Sequence, residues 1–279
     1  MLYLVATPIG NLEDMTFRAV RILKEVDLIA AEDTRNSIKL LNHFDIHTEM
    51  TSYHEFNKYD KGTYLLQKMQ QGQNVAVITD AGTPGISDPG EELVAMCYEA
   101  GIEVVAVPGP AAVITAVTTS GQACRRFAFE AFLPKDKKEH ERVLQEMERE
   151  TRTMIVYEAP HHLRKTLAEL RERLGNRDIT IIKELTKKHE KKWKTTLQGA
   201  VEFYESVDPR GEYVLVIAGK SKEEVEREQQ EKWEMLTLAQ HMEHYMEQGL
   251  SKKEAMKAVA KDRKMQKREV YQQLLEDEA

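Results

Sequence analysis

The chain has 279 residues, of which 41% are hydrophobic and 31% charged, and its formal net charge is −7. This balance is typical of a globular protein and excludes a disordered or fibrous chain. Two cysteines, Cys97 and Cys124, are too few for a disulfide framework. No apolar run reaches the ~18–20 residues of a membrane span, and the N-terminus lacks the features of a signal peptide. We therefore expect a reduced, cytoplasmic protein of two or three domains without membrane attachment.

The first third of the chain alternates short apolar runs with segments of helical periodicity. Residues 2–6, 28–31, 75–79 and 102–107 have the continuous apolar character of buried parallel strands. The intervening segments have apolar residues at helical spacing, and Thr16 is a suitable N-cap for the first of them. This alternation predicts an α/β domain with a mostly parallel sheet over residues 1–114.

The rest of the chain divides into a second α/β block and a helical segment. Helical patterns over residues 137–150 and 162–174 alternate with strand-like runs at 153–157, 178–183, 194–197 and 212–218. Residues 115–220 are therefore predicted to form a second α/β domain, whose sheet could be mixed. Residues 221–279 contain no strand-like run and are predicted to form a helical appendage.

Glycine and proline cluster directly after three of the predicted strands, at residues 6–11, 79–90 and 107–112. In a parallel α/β sheet these loops converge on the crevice where ligands bind. Glycine lets a ligand approach the backbone, and proline stiffens the loop. Neither a dinucleotide fingerprint nor a phosphate-binding loop is present. The pattern indicates a nucleotide-like ligand held mainly by backbone and shape.

These loops and several later motifs together resemble the tetrapyrrole methylase superfamily of S-adenosylmethionine-dependent methyltransferases. The motifs, in chain order, are LVATPIGN, AEDTR, TDAGTPGISDPG, VPGPAA, FLP, YEAPHH, ELTKKHE and GEYVLVI. They cover nearly the whole chain. Within the superfamily, the resemblance is to the members that methylate the ribose 2′-hydroxyl of a cytidine in 16S rRNA.

The resemblance implies that S-adenosylmethionine is held in a cleft between the two α/β domains, in a protein that is a homodimer. The residues that it assigns to the cofactor are Pro8, Gly82, Thr83, Pro84, Ile86, Pro108, Gly109, Pro110, Ala111, Ala112, Tyr157, Glu158, Ala159, Gly211, Tyr213 and Val214.

Methyl transfer to a ribose hydroxyl needs a positioned base or cation, because the hydroxyl is a weak nucleophile. The candidates lie in the AEDTR and ELTKKHE motifs and are Asp33, Arg35, Glu184, Lys187, His189 and Glu190. Asp33 is also compatible with a helix N-cap that pairs with Arg35. Asp80 and Asp88 lie in the long glycine loop. Their carboxylates are compatible with two roles, contact with the ligand or capping interactions that hold the loop in shape. His161 and His162 lack a third ligand at suitable spacing, so no metal is expected.

Two lysine-rich segments are candidates for contact with RNA. The first follows ELTKKHE and contributes Lys188, Lys191 and Lys192 beside Trp193, although a charge run is also typical of a solvated face. The second lies in the appendage, where residues 251–254 have the pattern of a capping box. Its predicted contacts are Lys261, Arg263, Lys264, Lys267 and Arg268. The alternative for the appendage is a packing or dimerisation module.

Three functions are compatible with these features. The first is an enzyme that methylates 16S rRNA in the small ribosomal subunit. The second is a methyltransferase of the same superfamily that acts on a corrin-type tetrapyrrole. The third is a nonenzymatic nucleic-acid-binding protein, which would leave the glycine and proline loops without a task.

Overall fold

The computed structural model describes residues 1–277, which form ten strands and twelve α-helices. The strands are β1 (Leu2–Val5), β2 (Leu28–Ala31), β3 (Met50–Ser52), β4 (Val75–Ile78), β5 (Val104–Val107), β6 (Phe127–Phe132), β7 (Thr153–Glu158), β8 (Asp178–Lys183), β9 (Lys191–Thr196) and β10 (Tyr213–Ile217). The helices are α1 (Phe17–Glu25), α2 (Thr34–His43), α3 (Lys58–Gln70), α4 (Glu91–Glu99), α5 (Ala112–Thr119), α6 (Lys137–Arg149), α7 (Pro160–Leu174), α8 (Leu197–Ser206), α9 (Lys222–Glu234), α10 (Leu238–Glu247), α11 (Lys252–Asp262) and α12 (Lys267–Asp277). Two compact units divide the chain, Met1–Gly219 and the segment from Lys220 onward.

The first sheet of the large unit is entirely parallel and has the strand order β3-β2-β4-β1-β5. Strands β2 and β4 are buried along their whole length, as the continuous apolar runs predict. Because all five strands run the same way, their carboxyl ends lie along one edge of the sheet. The three glycine and proline loops therefore leave the sheet at that common edge.

The second sheet is mixed and has the order β6-β7-β10-β8-β9. Strand β6 is parallel to β7, whereas the other neighbours are antiparallel. Helix α5 contributes Val113, Ala116 and Val117 to a core cluster that includes Ile155 and Val216 of this sheet. The helix that leaves the third glycine and proline loop thus packs on the second sheet.

The second unit is a group of four helices, α9 to α12. Three of these helices begin with a complete capping box, in which the N-cap residue is Ser221, Thr237 or Ser251. Its core is formed by small and apolar side chains, namely Leu238, Met242, Ala255, Met256, Val259, Ala260 and Val270. No helix within residues 1–277 is long and apolar enough to cross a bilayer.

The predicted α/β class with a helical appendage is confirmed, and three details differ. Strand β3 was not predicted, because three residues are too few to show a pattern. Strand β6 was missed because its residues are only half-buried and contain a bulge between Phe129 and Ala131. Strand β9 begins at Lys191 and not at residue 194, so part of the lysine run is an exposed edge strand.

Candidate active site

A cavity of about 450 Å³ opens at the carboxyl edge of the first sheet, within the range of small-molecule sites. Both halves of the large unit line it. The lining residues are Ile9, Glu32, Asp80, Ala81, Gly82, Thr83, Ile86, Ser87, Asp88, Ala111, Ala112, Phe132, Tyr157, Glu158, Ala159, Pro160, Leu185, Glu212, Tyr213 and Val214. The cavity therefore joins the glycine and proline loops to the ends of β7 and β10.

Ten of the sixteen residues assigned to the cofactor by resemblance line this cavity. They are Gly82, Thr83, Ile86, Ala111, Ala112, Tyr157, Glu158, Ala159, Tyr213 and Val214. The remaining six are outside the lining, and these are Pro8, Pro84, Pro108, Gly109, Pro110 and Gly211. Their roles as ligand contacts remain predictions.

Hydrogen bonds join the three loops into one wall. Thr7 and Gly82 exchange two backbone hydrogen bonds, with N···O distances of 2.9 and 3.0 Å. The Thr83 hydroxyl donates to the carbonyl of Pro110 at 3.0 Å. Gly82 has φ +88°, a conformation that side chains with a Cβ rarely adopt, so the turn requires glycine. The loops therefore present a preformed backbone surface to a ligand.

Part of the cavity lining is acidic. Glu32 Oε2 accepts the backbone N–H of Asp80 at 3.2 Å, and Asp80 Oδ2 accepts from Asn36 at 3.0 Å. Burial raises the pKa of Glu32, although the hydrogen bond from Asp80 opposes this effect. Burial, together with the charges of Glu32 and Asp80, raises the pKa of Asp88 to about 7. Three carboxyl groups in one partly buried place favour a cationic ligand.

The raised pKa of Asp88 gives a stability prediction. The folded protein holds this proton more tightly than the unfolded chain, so Asp88 destabilises the fold increasingly as the pH rises from about 4 to 7. Asp88→Asn, which resembles the protonated form, should raise the melting temperature relative to wild type, and the gain should grow over that interval. Melting curves from pH 4 to 8 test this, with the exposed Glu172→Gln as control. A gain that does not vary with pH would contradict it.

Another part of the cavity lining is aromatic. The Tyr157 ring meets Phe129 and Phe132 edge-on, with ring centroids 5.0 and 5.7 Å apart, and burial raises the pKa of Tyr157 to about 12. Glu158 lines the wall here, but its two oxygens accept from the Ala159 N–H and the Thr166 hydroxyl at 2.8 and 2.5 Å. These rings are suited to contact with a planar, uncharged group.

None of the six predicted catalytic residues lines the cavity. Asp33 is the N-cap of α2, and its carboxylate accepts from the Arg35 backbone and side chain at 2.8 Å each. These interactions with Arg35 lower the pKa of Asp33 to about 2. The structure therefore places this pair as a helix cap, and the neighbouring Glu32, absent from the prediction, faces the cavity instead.

The predicted catalytic residues of the ELTKKHE motif form hydrogen bonds and ion pairs mainly with neighbouring residues of the same segment. Glu184 Oε1 accepts from Lys187 Nζ at 3.1 Å and from the Glu212 N–H at 2.8 Å. The Glu184 carboxylate lies so close to Gly211 that a Cβ there would be 2.5 Å from Oε1, which explains the glycine. Lys187 Nζ also donates to Glu212 Oε2 at 2.8 Å, and Glu212 lines the cavity. This motif thus supports the cavity from outside.

The remaining two residues of that segment lie apart from the Glu184 contacts. Glu190 Oε2 accepts from the Thr186 N–H at 2.6 Å, and its other oxygen pairs with Lys192 at 2.6 Å. His189 is in the turn before β9. Lys191 and Lys188 are not in the cavity lining, so any contact that they make with RNA is at the surface.

The predicted RNA contacts in the helical unit differ in their surroundings. Lys261, Lys264, Lys267 and Arg268 are exposed. Arg263 is not free in the same way, because its guanidinium donates to the carbonyls of Trp233, at 2.6 Å, and Leu236, and to His241 Nδ1 at 3.2 Å. The structure gives Arg263 a packing role that a count of charges could not reveal. Within residues 1–277, no group of three His, Cys, Asp or Glu side chains is arranged to hold a metal.

Comparison with known proteins first gives the class. The family model of the Tetrapyrrole (Corrin/Porphyrin) Methylases matches residues 1–201, and the chain belongs to this family. Solved structures agree on the fold. A uroporphyrin-III C-methyltransferase from Thermus thermophilus, complexed with S-adenosylhomocysteine, aligns with a TM-score of 0.56 and 21% identity over 78% of this chain and 96% of that one. Diphthine synthase aligns with a TM-score of 0.62 and 11% identity, over 78% of this chain and 89% of that one.

Full-length relatives define the group more closely. The chain is 49% identical to ribosomal RNA small subunit methyltransferase I of Synechocystis sp., over 100% of this chain and 99% of the relative. It is 48% identical to the protein of the same name from Halalkalibacterium halodurans, over 97% and 93% of the two chains. The chain therefore belongs to the ribosomal RNA small subunit methyltransferase I family, and the resemblance seen in its motifs is confirmed.

Proposed function

We propose that this protein is an S-adenosylmethionine-dependent methyltransferase that methylates the ribose 2′-hydroxyl of a cytidine in 16S rRNA of the small ribosomal subunit. The observation that carries the proposal is the identity of 49% to a ribosomal RNA small subunit methyltransferase I over the whole length of both chains. A relationship that covers the helical unit as well as the cavity favours a shared substrate over a shared fold alone.

The cavity fits S-adenosylmethionine in size and in charge. Its acidic side chains, Glu32, Asp80 and Asp88, suit a molecule that carries a sulfonium and an ammonium group. Its aromatic side chains, Phe132 and Tyr157, suit the adenine ring. The loop backbone at Gly82 and Thr83, and the start of α5 at Ala111 and Ala112, would complete the contacts with the ligand.

When bound, S-adenosylmethionine supplies a methyl group on a positively charged sulfur. The leaving group is a neutral thioether, so the chain needs no general acid. The rigid wall formed by Thr7, Gly82 and Thr83 keeps the ligand in one place, and such fixed geometry lowers the entropic part of the barrier. The protein's chemical task is therefore to orient the ribose hydroxyl and to take up its proton.

The remaining parts of the proposal concern organisation and partners. Residues 1–114 and 115–220 would be two α/β domains, and residues 221–279 an appendage that binds rRNA through its exposed lysines and arginine. A ribosomal substrate implies work in the cytoplasm. The protein would act as a homodimer, and sedimentation equilibrium that gave the mass of one 32.1 kDa chain would refute this.

Transfer of labelled methyl groups tests the function directly. We expect label from [methyl-³H]S-adenosylmethionine in 16S rRNA when small subunits from cells lacking this activity are the acceptor. Digestion to nucleosides should yield 2′-O-methylcytidine. Label in a uroporphyrinogen-type tetrapyrrole would instead support the small-molecule enzyme, and no transfer to either acceptor would support a nonenzymatic binding protein. Free 16S rRNA, assayed in parallel, defines the assembly state of the substrate.

A further inference from the structure

Three neighbouring strands end beside one another at the cavity. Ala31, the last residue of β2, pairs with Ile78 of β4 on one side and with Ser52 of β3 on the other. The chain then continues into Glu32 after β2, into Asp80 after β4 and into His54 after β3. Glu32 is thus the middle member of a row of polar side chains, and it lines the cavity.

Asn57 determines the orientation of the His54 ring. Asn57 Oδ1 accepts the backbone N–H of His54 at 2.8 Å, and this fixes which end of the amide is oxygen. Asn57 Nδ2 therefore faces Ser52 Oγ at 3.3 Å and His54 Nε2 at 3.2 Å. Because Nδ2 can only donate, His54 Nε2 must accept. The neutral ring consequently carries its proton on Nδ1.

The Nδ1 atom of His54 is buried and, among residues 1–277, has no hydrogen-bond partner. A buried N–H without an acceptor is costly, so such a group marks a place where an acceptor is expected during function. Glu32 is a suitable acceptor by its place in the sheet, because Ala31 pairs with Ser52 and its carbonyl accepts the Tyr53 N–H at 2.8 Å. Glu32 and His54 therefore leave two adjacent strands side by side.

We propose that Glu32 is the catalytic base that accepts the proton of the ribose 2′-hydroxyl, and that His54, held by Asn57, is the positioning residue for the Glu32 carboxylate. The proposal rests on the proposed function. The 2′-oxygen forms the new bond to the methyl carbon, while the carbon–sulfur bond breaks and its electron pair stays on sulfur. The hydroxyl proton passes to Glu32 and is later released to water.

Other carboxyl groups nearby are less suited to this task. Asp33 is held by Arg35, lies outside the cavity lining and has a pKa of about 2, which makes it a weak base. Asp80 also lines the cavity, but it is more exposed than Glu32 and its carboxylate accepts from the Asn36 side chain. Asp88 lines the cavity, but among residues 1–277 no hydrogen bond or ion pair orients it, so it is the competitor that an experiment has to exclude.

Single-turnover methyl transfer to small ribosomal subunits separates these roles. With S-adenosylmethionine at a saturating concentration for each variant, Glu32→Gln should slow transfer by about 100-fold or more, the usual contribution of a general base, and by a much larger factor than it weakens cofactor binding measured by calorimetry. Under the same saturating conditions, Asp88→Asn should retain most of the transfer rate even though it binds the cofactor more weakly. Glu55→Gln, an exposed carboxyl on the His54 loop, is the matched control and should resemble wild type in both measurements.

The role of His54 has two readouts of its own. In the free protein, ¹⁵N chemical shifts should show a protonated Nδ1 and an unprotonated Nε2, and Asn57→Ala should abolish this preference. His54→Ala should slow transfer by about tenfold and move the acid limb of the pH–rate profile to higher pH. His54→Asn should restore most of the rate, because its amide nitrogen can occupy the place of Nδ1, whereas His54→Gln should not.

The outcomes distinguish this proposal from the function on which it rests. If wild type methylates 16S rRNA and Glu32→Gln does so at an equal rate, Glu32 is not the base and only this proposal fails. It also fails if Glu32→Gln loses cofactor affinity and rate by the same factor, or if Asp88→Asn is the inactive variant. An ε-protonated neutral His54 would overturn the positioning role. Absence of transfer to rRNA by wild type would overturn both proposals.

Discussion

Replacing Ala112 by leucine should remove measurable binding of S-adenosylmethionine and leave the protein folded. Ala112 is the first residue of α5 and lines the cavity, so a leucine side chain would occupy space that the ligand needs. Leucine is a good helix former, and the position is only half-buried, so the helix itself should tolerate it. We expect affinity to fall by at least about 100-fold, which corresponds to about 2.8 kcal/mol.

Titration calorimetry and melting curves check this result together. The matched control is Ala95→Leu, an exposed position within α4 that is not part of the cavity lining. Both variants should melt within a few degrees of wild type, and only Ala112→Leu should lose the ligand. Undiminished affinity in a folded Ala112→Leu protein would show that the cofactor binds elsewhere. Gly82→Val is a weaker test, because valine at φ +88° would strain the turn and could unfold it.

The first sheet and the edge that carries the cavity were predictable from the sequence, for a physical reason. Strands such as β2 and β4 are covered on both faces, so they appear as continuous apolar runs. Loops that bind a ligand through their backbone need glycine and proline, which are visible in any sequence. In a parallel sheet, the loops that follow the strands converge on the carboxyl edge, so the position of the cavity follows from the strand pattern.

The side chains that face the cavity were harder to predict. Glu32 and Asp33 are adjacent, and only the pairing of β2 with β4 and the capping of α2 determine that Glu32 lines the cavity while Asp33 holds Arg35. His54 follows a strand of three residues that leaves no periodic signal. Phe132, at the end of β6, lines the cavity only because of the way in which the second sheet packs beside the first. Which side chains line the cavity is thus determined by tertiary contacts, and these cannot be read from a single sequence.

Arg263 illustrates the same limit in the helical unit. By composition it is one of eight basic residues between positions 252 and 268. In the structure it donates to the carbonyl of Trp233, in the last turn of α9, and to that of Leu236, just after the helix, where carbonyls lack the donors of a continuing helix. A guanidinium has several donors in fixed directions and is well suited to this task. Charge alone cannot distinguish such an arginine from one that binds phosphate.

Neutralising exposed lysines of the helical unit should therefore weaken rRNA binding without affecting the cofactor. Lys261→Gln/Lys264→Gln removes two exposed charges. If each contacts a phosphate, the slope of log affinity against log salt should become shallower by about 0.7–0.9 per lost contact. Affinity for S-adenosylmethionine should stay at the wild-type value, because neither residue lines the cavity. Filter binding to 16S rRNA at several salt concentrations measures the slope.

Two comparisons make the salt experiment decisive. Arg18→Gln/Lys24→Gln removes the same charge from exposed positions on α1 and should leave the slope unchanged, since the effect is expected from contacts and not from net charge. Arg263→Gln should lower the melting temperature of the helical unit, because the guanidinium hydrogen bonds to the Trp233 and Leu236 carbonyls and to His241 are lost. If the helical unit serves only for packing or dimerisation, the lysine variant should change oligomeric state or melting temperature while its salt slope equals that of wild type. Phosphate contact by these lysines requires the opposite pattern, a shallower slope in a protein whose mass and stability are unaltered.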